Sequence, residues 1–256
     1  EILRQLEADG EMDNTVIFFF SDHGHNTSLR HKQFCYEGGM RVPLIIKGDH
    51  AAIPSGHTVN DLVSLLDVGA TTLALAGAER PDHLDGQHLF GHDYIPVDYV
   101  IGARDRCDYT IDRIRTVRSD RYRYIRNYYL DRPLMQPGYR DDRPPSMDMR
   151  RLFGAGELTE YQAEHWFGMR PREELYDMHA DIHQINNLAS LSDFRAELLR
   201  HREILENWIN DSDDQGQYSE SDVQLRATYE LWKDRDIFKN ADVNPEYSKF
   251  REGSVN

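Results

Sequence analysis

Apolar positions change period several times along this chain, and each change marks an element. Ile2, Leu3 and Leu6 recur at helical spacing and Gly10 follows, so residues 1–9 read as a helix ended by a residue that accepts a left-handed conformation. Val16 to Phe20 is continuously apolar and β-branched or aromatic, the pattern of a central strand in a parallel sheet covered by helices on both faces. Residues 41–46 form a second apolar strand, which Pro43 places near an edge or a strand start. After Asn60-Asp61, which can cap a helix, Leu62, Val63, Leu65, Leu66, Leu73 and Leu75 give a broad apolar face up to Gly77, read as a packing helix. Tyr99 to Ala103 returns to a short strand.

From there the character changes. Two strand-like runs within residues 111–126 flank Ser119-Asp120, a hairpin that predicts a smaller antiparallel sheet. The stretch from Asp131 to Pro145 holds four prolines and reads as an irregular surface loop. Leu175-Tyr176 suits a short strand, and Phe194, Leu198, Leu205 and Trp208 share one face of a helix over 193–210. Residues 211–256 hold eleven acids against six bases and few periodic apolar residues, which predicts an acidic extension with weak structure of its own. The expected division is residues 1–104, 105–210 and 211–256. The fold class is α/β: a parallel-rich sheet flanked by helices, followed by a small antiparallel C-terminal subdomain.

Composition narrows the function classes. Asp and Glu number 45 against 30 Lys and Arg, a net charge of −15 that disfavours wrapping nucleic acid or an anionic membrane. Apolar runs fall far short of the ~20 residues that cross a bilayer. Cys35 and Cys107 are too few for a disulfide scaffold or a cysteine-ligated zinc site. The oligomeric state stays open.

The chemistry gathers after the first strand. Ligands of open parallel sheets bind where strand ends open into loops, and Asp22-His23 offers one carboxylate and one imidazole there, suited to a metal. The same residues also suit a turn in which Asp22 caps a backbone N–H and His23 is exposed. Lys32 follows in a polar loop, with His31, an exposed loop histidine, beside it. The run Ser21-Asp22-His23-Gly24, the loop lysine, Tyr36-Glu37-Gly38-Gly39 and Arg41-Val42-Pro43-Leu44-Ile45 resembles the sulfatases of the alkaline phosphatase superfamily. Leu73-Ala74-Leu75-Ala76-Gly77, Glu174-Leu175-Tyr176-Asp177 and Asn187-Leu188-Ala189 extend that resemblance to about residue 210.

The resemblance implies hydrolysis of sulfate esters or sulfamates of carbohydrate by a formylglycine, with a divalent cation, usually calcium, holding the sulfate. Asp22 and His23 match two metal ligands, and Lys32 matches the lysine that contacts the sulfate as a catalytic and substrate-binding group. A periplasmic or secreted location is implied as well. The Cys/Ser-x-Pro-x-Arg segment that yields formylglycine does not occur in this sequence, nor do the paired N-terminal aspartates, so the resemblance implies the C-terminal portion of such an enzyme, inactive alone. Eight arginines and four aspartates lie between residues 104 and 126, and this stretch resembles heparan-sulfatase-like and sulfamidase-like members, which implies a sulfated glycan. The alternatives are a phosphonate or phosphodiester hydrolase of the same superfamily and a non-catalytic module that binds anionic glycans.

Overall fold

The computed structural model describes residues 1–49, 52–235 and 244–251. The described elements run α1 (Ile2–Ala8), β1 (Ile17–Phe20), α2 (Glu37–Met40), β2 (Leu44–Lys47), α3 (Leu65–Leu75), β3 (Tyr99–Arg104), β4 (Ile114–Ser119), β5 (Tyr122–Asn127), α4 (Pro144–Ala155), α5 (Glu160–Phe167), β6 (Glu173–Asp177), α6 (Arg195–Asp211) and α7 (Asp222–Trp232). The chain divides into two compact units, Glu1–Gly24 with Arg41–Val100, and His25–Met40 with Ile101–Asn256.

In the first unit, β1 pairs with β2 in antiparallel register, Phe19 opposite Ile45. The sequence predicts a covered strand of a parallel sheet at this place; the two described strands are antiparallel, and Phe19 and Ile45 are exposed together. An apolar run reports that a strand forms but carries no information on its partner's direction. Helix α3 starts later than Asn60-Asp61 suggests, because Ser64 and Asp67 close a reciprocal capping box. Asp67 also accepts from the Gln87 N–H at 2.7 Å, fixing the following loop to the helix start.

In the second unit, four strands lie in the order β3-β4-β5-β6, with β4–β5 and β5–β6 antiparallel. Because side chains alternate across a strand, this sheet has two apolar faces. Val117, Tyr124 and Leu175 point to one, where Leu198 and Leu205 of α6 cover them. Ile114, Ile125 and Tyr176 point to the other, covered by Phe34, Cys35 and Tyr36 of the 25–40 loop together with Trp166 of α5. Helices α4 and α5 escape the sequence pattern, although Thr159 and Gln162 form a capping box and Gly156 ends α4 at φ 68°. Beyond α6, residues 222–232 form α7 where the composition predicts weak structure. Leu225, Tyr229 and Trp232 recur at helical spacing and join Tyr109, Ile111 and Tyr247 in a third apolar cluster. Asp214 holds the segment after α6 onto β4 through two 2.9 Å hydrogen bonds from the fully buried Arg115.

The 25–40 loop is fastened to the sheet by charge as well as by apolar contact. Arg123 of β5 donates to Glu37 Oε2 at 2.6 and 3.1 Å, and Arg118 approaches the same oxygen at 3.4 Å. The Tyr36 hydroxyl donates to Glu174 at 2.9 Å, and Arg30 donates to the carbonyls of His183 and Gln184. Burial pulls the Arg123 guanidinium below its ordinary pKa while Glu37 opposes that fall. Gly39 is required where α2 meets the preceding turn, since a Cβ there would lie 2.2 Å from the Phe34 carbonyl oxygen.

Glu37→Gln leaves two arginines facing an amide, and removal of one partner from a buried pair costs about 3–5 kcal/mol. Urea unfolding should show a loss of that size, and a smaller one for Arg123→Met, because Arg118 still faces Glu37. A change below about 1 kcal/mol for Glu37→Gln, the range of exposed pairs, would show that the pair does not hold the loop.

His165 of α5 lies among Tyr36, Tyr161 and Trp166, its Nε2 buried without a partner. Burial first, and Arg30 second, bring its pKa down to about 4 from 6.5. The unfolded chain therefore binds this proton at higher pH than the folded one, and stability falls as pH drops below 6.5 towards 4. From pH 7 to pH 5 the protein should lose about 1–2 kcal/mol more than His165→Gln, after discounting for partial exposure. Parallel pH profiles for the two proteins in denaturant titrations would refute this.

Candidate active site

The first site residues follow β1 directly. The strand ends at Phe20, and the next residues turn, with the Ser21 hydroxyl donating to the His23 carbonyl at 2.6 Å. His23 Nδ1 lies 2.6 Å from the Gly24 carbonyl oxygen, which can only accept, so this nitrogen carries the proton. In the neutral ring Nε2 is then the atom left to bind a partner, and it stands 3.5 Å from Asp22 Oδ2. Asp22 has 83% of its side chain exposed and His23 28%, so both side chains belong to a solvent-facing turn. The structure thus brings the two residues together as a carboxylate–imidazole pair. Among the described residues no group of three or more His, Cys, Asp and Glu side chains is gathered to hold a metal.

Lys32 belongs to the second unit, in the loop fastened by Glu37 and Arg123. Arg30 and Gln33 on either side adopt left-handed backbone at φ 61° and 76°, which few residues other than glycine do at no cost. The Lys32 N–H reaches the His25 carbonyl at 3.5 Å, and its ammonium stands 5.8 Å from the centre of the Tyr139 ring. No described carboxylate pairs with it, so a cation is available for an anionic ligand.

His31 is not the free loop histidine that the sequence suggests. Its Nδ1 accepts from the His25 N–H at 3.2 Å, and its ring leaves no room for a side chain at Gly38. Burial, then His25, lowers its pKa. It packs the loop. Cys35 is buried and its thiol is pushed up to about 12, chiefly by burial, while Cys107 is raised for the same leading reason. Neither thiol is a ready nucleophile.

The arginine-rich stretch also changes meaning. Its local surplus of positive charge is met by acids from elsewhere in the sequence: Arg106 by Glu220, Arg115 by Asp214, Arg118 and Arg123 by Glu37, Arg121 by Asp177 and Arg126 by Glu206. An open cationic strip for a polyanion is therefore not what these side chains make. No described helix is long and apolar enough to cross a membrane.

Residues 1–78, which contain β1, Asp22, His23 and Lys32, match the sulfatase family model. An ulvan-active sulfatase of Formosa agariphila is 32% identical over 224 residues, covering 87% of this chain and 37% of that protein. The N-acetylglucosamine-6-O-sulfatase of Bacteroides thetaiotaomicron is 26% identical over 242 residues, covering 93% of this chain and 37% of that protein. A structure solved in complex with its substrate D-glucosamine-2-N,6-O-disulfate has a TM-score of 0.57 at 21% identity, over 86% of this chain and 39% of that one. This last likeness concerns the fold alone. The chain spans about 37% of the length of both curated relatives. With Asp22-His23 and Lys32 inside the matched stretch and a relative aligned across 87% of the residues, the chain belongs to the sulfatase family.

Proposed function

We propose that this chain is the C-terminal part of a sulfatase that hydrolyses sulfate esters or sulfamates of carbohydrate. The observation that carries this reading is the Asp22–His23 pair at the end of β1, within the residues that match the family. The carbohydrate class is supported by the relatives named for ulvan and N-acetylglucosamine-6-O-sulfate chemistry. A periplasmic or extracellular location belongs to the same reading.

In this reading Asp22 Oδ2 and His23 Nε2 supply two ligands to a divalent cation. A carboxylate oxygen suits calcium, and a neutral imidazole whose other nitrogen is tied to a carbonyl is an ordinary ligand geometry. The fit is partial. Calcium takes about six to eight oxygen donors, so most of its shell would come from groups other than this pair. When bound, the metal acts as a Lewis acid on the sulfate. The ammonium of Lys32 supplies a fixed positive charge to the sulfate oxygens or to the ester oxygen as it leaves. The family's formylglycine nucleophile has no source here, since no Cys/Ser-x-Pro-x-Arg segment occurs in the 256 residues. An N-terminal segment carrying that motif completes the enzyme in this reading.

The experiment is sulfate release from aryl sulfate and from a sulfated sugar by the protein joined to such a segment, with phenylphosphonate as the competing substrate. Metal-dependent sulfate release is expected. Faster phosphonate cleavage, or equal turnover by the 256-residue chain without the added segment, would overturn the proposal.

Asp22→Ala should lose bound metal and activity together, because it removes the carboxylate of the pair; atomic absorption on wild type and variant reads this. Unchanged metal content with unchanged turnover would make Asp22 a turn residue. For Lys32→Ala, kcat should fall roughly 10²-fold or more, since a cation aimed at transition-state charge contributes a few kcal/mol. An intact circular dichroism spectrum should accompany that fall, and an unaltered rate on both substrates would remove Lys32 from the machinery.

A further inference from the structure

Arg104, at the end of β3, is buried but matched less fully than the buried Arg115 and Arg123. Its side chain is only 8% exposed, yet Nε and Nη1 are buried without a hydrogen-bond partner. The remaining nitrogen lies 3.6 Å from Asp112 Oδ2, beyond hydrogen-bond range. Asp112 is already committed: it accepts from Arg170 at 2.9 and 3.0 Å, from Gln136 at 3.1 Å and from the Arg113 N–H at 2.8 Å. A buried guanidinium with two unmatched nitrogens is costly unless an acceptor reaches it.

The space for that acceptor is present. Arg104 lines a cavity of about 40 Å³ together with Phe34, Thr110 and Arg140, roughly three times what one water needs. The guanidinium carbons of Arg104 and Arg140 stand 4.9 and 5.6 Å from the centre of the Phe34 ring, so two cations share one aromatic plate. Burial, with Arg104 contributing, pulls the Arg140 pKa down, as expected of like charges short of counter-charge. The acid on the cavity wall, Asp141, does not supply it, being held by Arg150 at 2.7 Å and by the Gly138 N–H at 3.3 Å.

We propose that this cavity is an anion subsite in which Arg104 and Arg140 receive a single oxyanion, a sulfate or a carboxylate, of a bound glycan. Only the carrier of the anion rests on the sulfated-carbohydrate reading above; the cavity and the two unmatched nitrogens of Arg104 stand without it.

The test is calorimetric titration of the protein with inorganic sulfate and, separately, with glucuronate, chloride holding the ionic strength constant. At least one anion should bind and raise the melting temperature as its concentration passes its dissociation constant. Arg104→Met should weaken that binding tenfold or more while leaving the anion-free protein as stable or more so, since it removes a buried guanidinium with two unmatched nitrogens while Arg170 still holds Asp112. Arg140→Gln should weaken it in the same direction, and the exposed Arg151→Gln should not. Sulfate binding alone identifies the group as sulfate, and glucuronate binding alone as carboxylate. Binding of neither anion, or equal binding by wild type and Arg104→Met, overturns the subsite. Should Arg104→Met not fold, Arg140→Gln decides by the same criterion. The titration needs no turnover, so failure of sulfate hydrolysis leaves it standing, and loss of the subsite leaves the hydrolysis reading standing.

Discussion

The buried pairing of Glu37 with Arg123 is the constraint on which the second unit depends. An antiparallel sheet with apolar residues on both faces needs two covers: α6 covers one, and Phe34, Cys35 and Tyr36 with Met149 of α4 and Trp166 of α5 cover the other. The irregular part of that second cover is the 25–40 loop, which cannot hold itself by a backbone ladder. It is held by Phe34, Cys35 and Tyr36 in the core and by a carboxylate clamped between two arginines of the sheet. Lys32 rides on that loop between two residues in left-handed backbone. A flexible, strongly hydrated ammonium can serve chemistry only where its base is fixed, and Glu37 fixes it.

The same logic governs the charge distribution. A chain with net charge −15 keeps a dense set of arginines in and around its four-stranded sheet, and it can do so because acids from α2, β6 and α6 and from beyond α6 come to meet them. Arg115 is fully buried yet lies between Asp105 and Asp214. Buried ion pairs of this kind add little net stability when compared with apolar residues but are severe when half-removed, which makes them determinants of how loops and tails attach. The segment after α6 is attached in this way. Arg104 stands out because it is buried like Arg115 and Arg123 but has two nitrogens unmatched and only a 3.6 Å ion pair to Asp112.

Much of the architecture is a direct consequence of local pattern. The Ser119-Asp120 hairpin, the strands at Tyr99 and Leu175, and α6 each carry enough periodic apolar residues to announce themselves, because the side-chain period of an element is fixed by its backbone. Local pattern missed α4 and α5, whose signals are caps rather than apolar faces, and it underrated α7, whose core-facing Leu225, Tyr229 and Trp232 sit in an acidic background.

By itself the sequence determined the family, through Ser21-Asp22-His23-Gly24, Lys32 and Glu37-Gly38-Gly39, and it determined that Asp22 and His23 follow a strand end. Tertiary structure alone decided the antiparallel direction of β1 and β2, the packing role of His31, and the fate of each arginine. The physical reason is range. Element type and turn chemistry depend on neighbours a few residues away, whereas strand direction, burial and ion pairing depend on residues tens to more than a hundred positions apart, such as Arg123 with Glu37 and Arg106 with Glu220. A count of charges along the chain sees a cationic strip between residues 104 and 126; the folded molecule sees a largely paired network in which the buried Arg104 keeps two unmatched nitrogens beside a cavity.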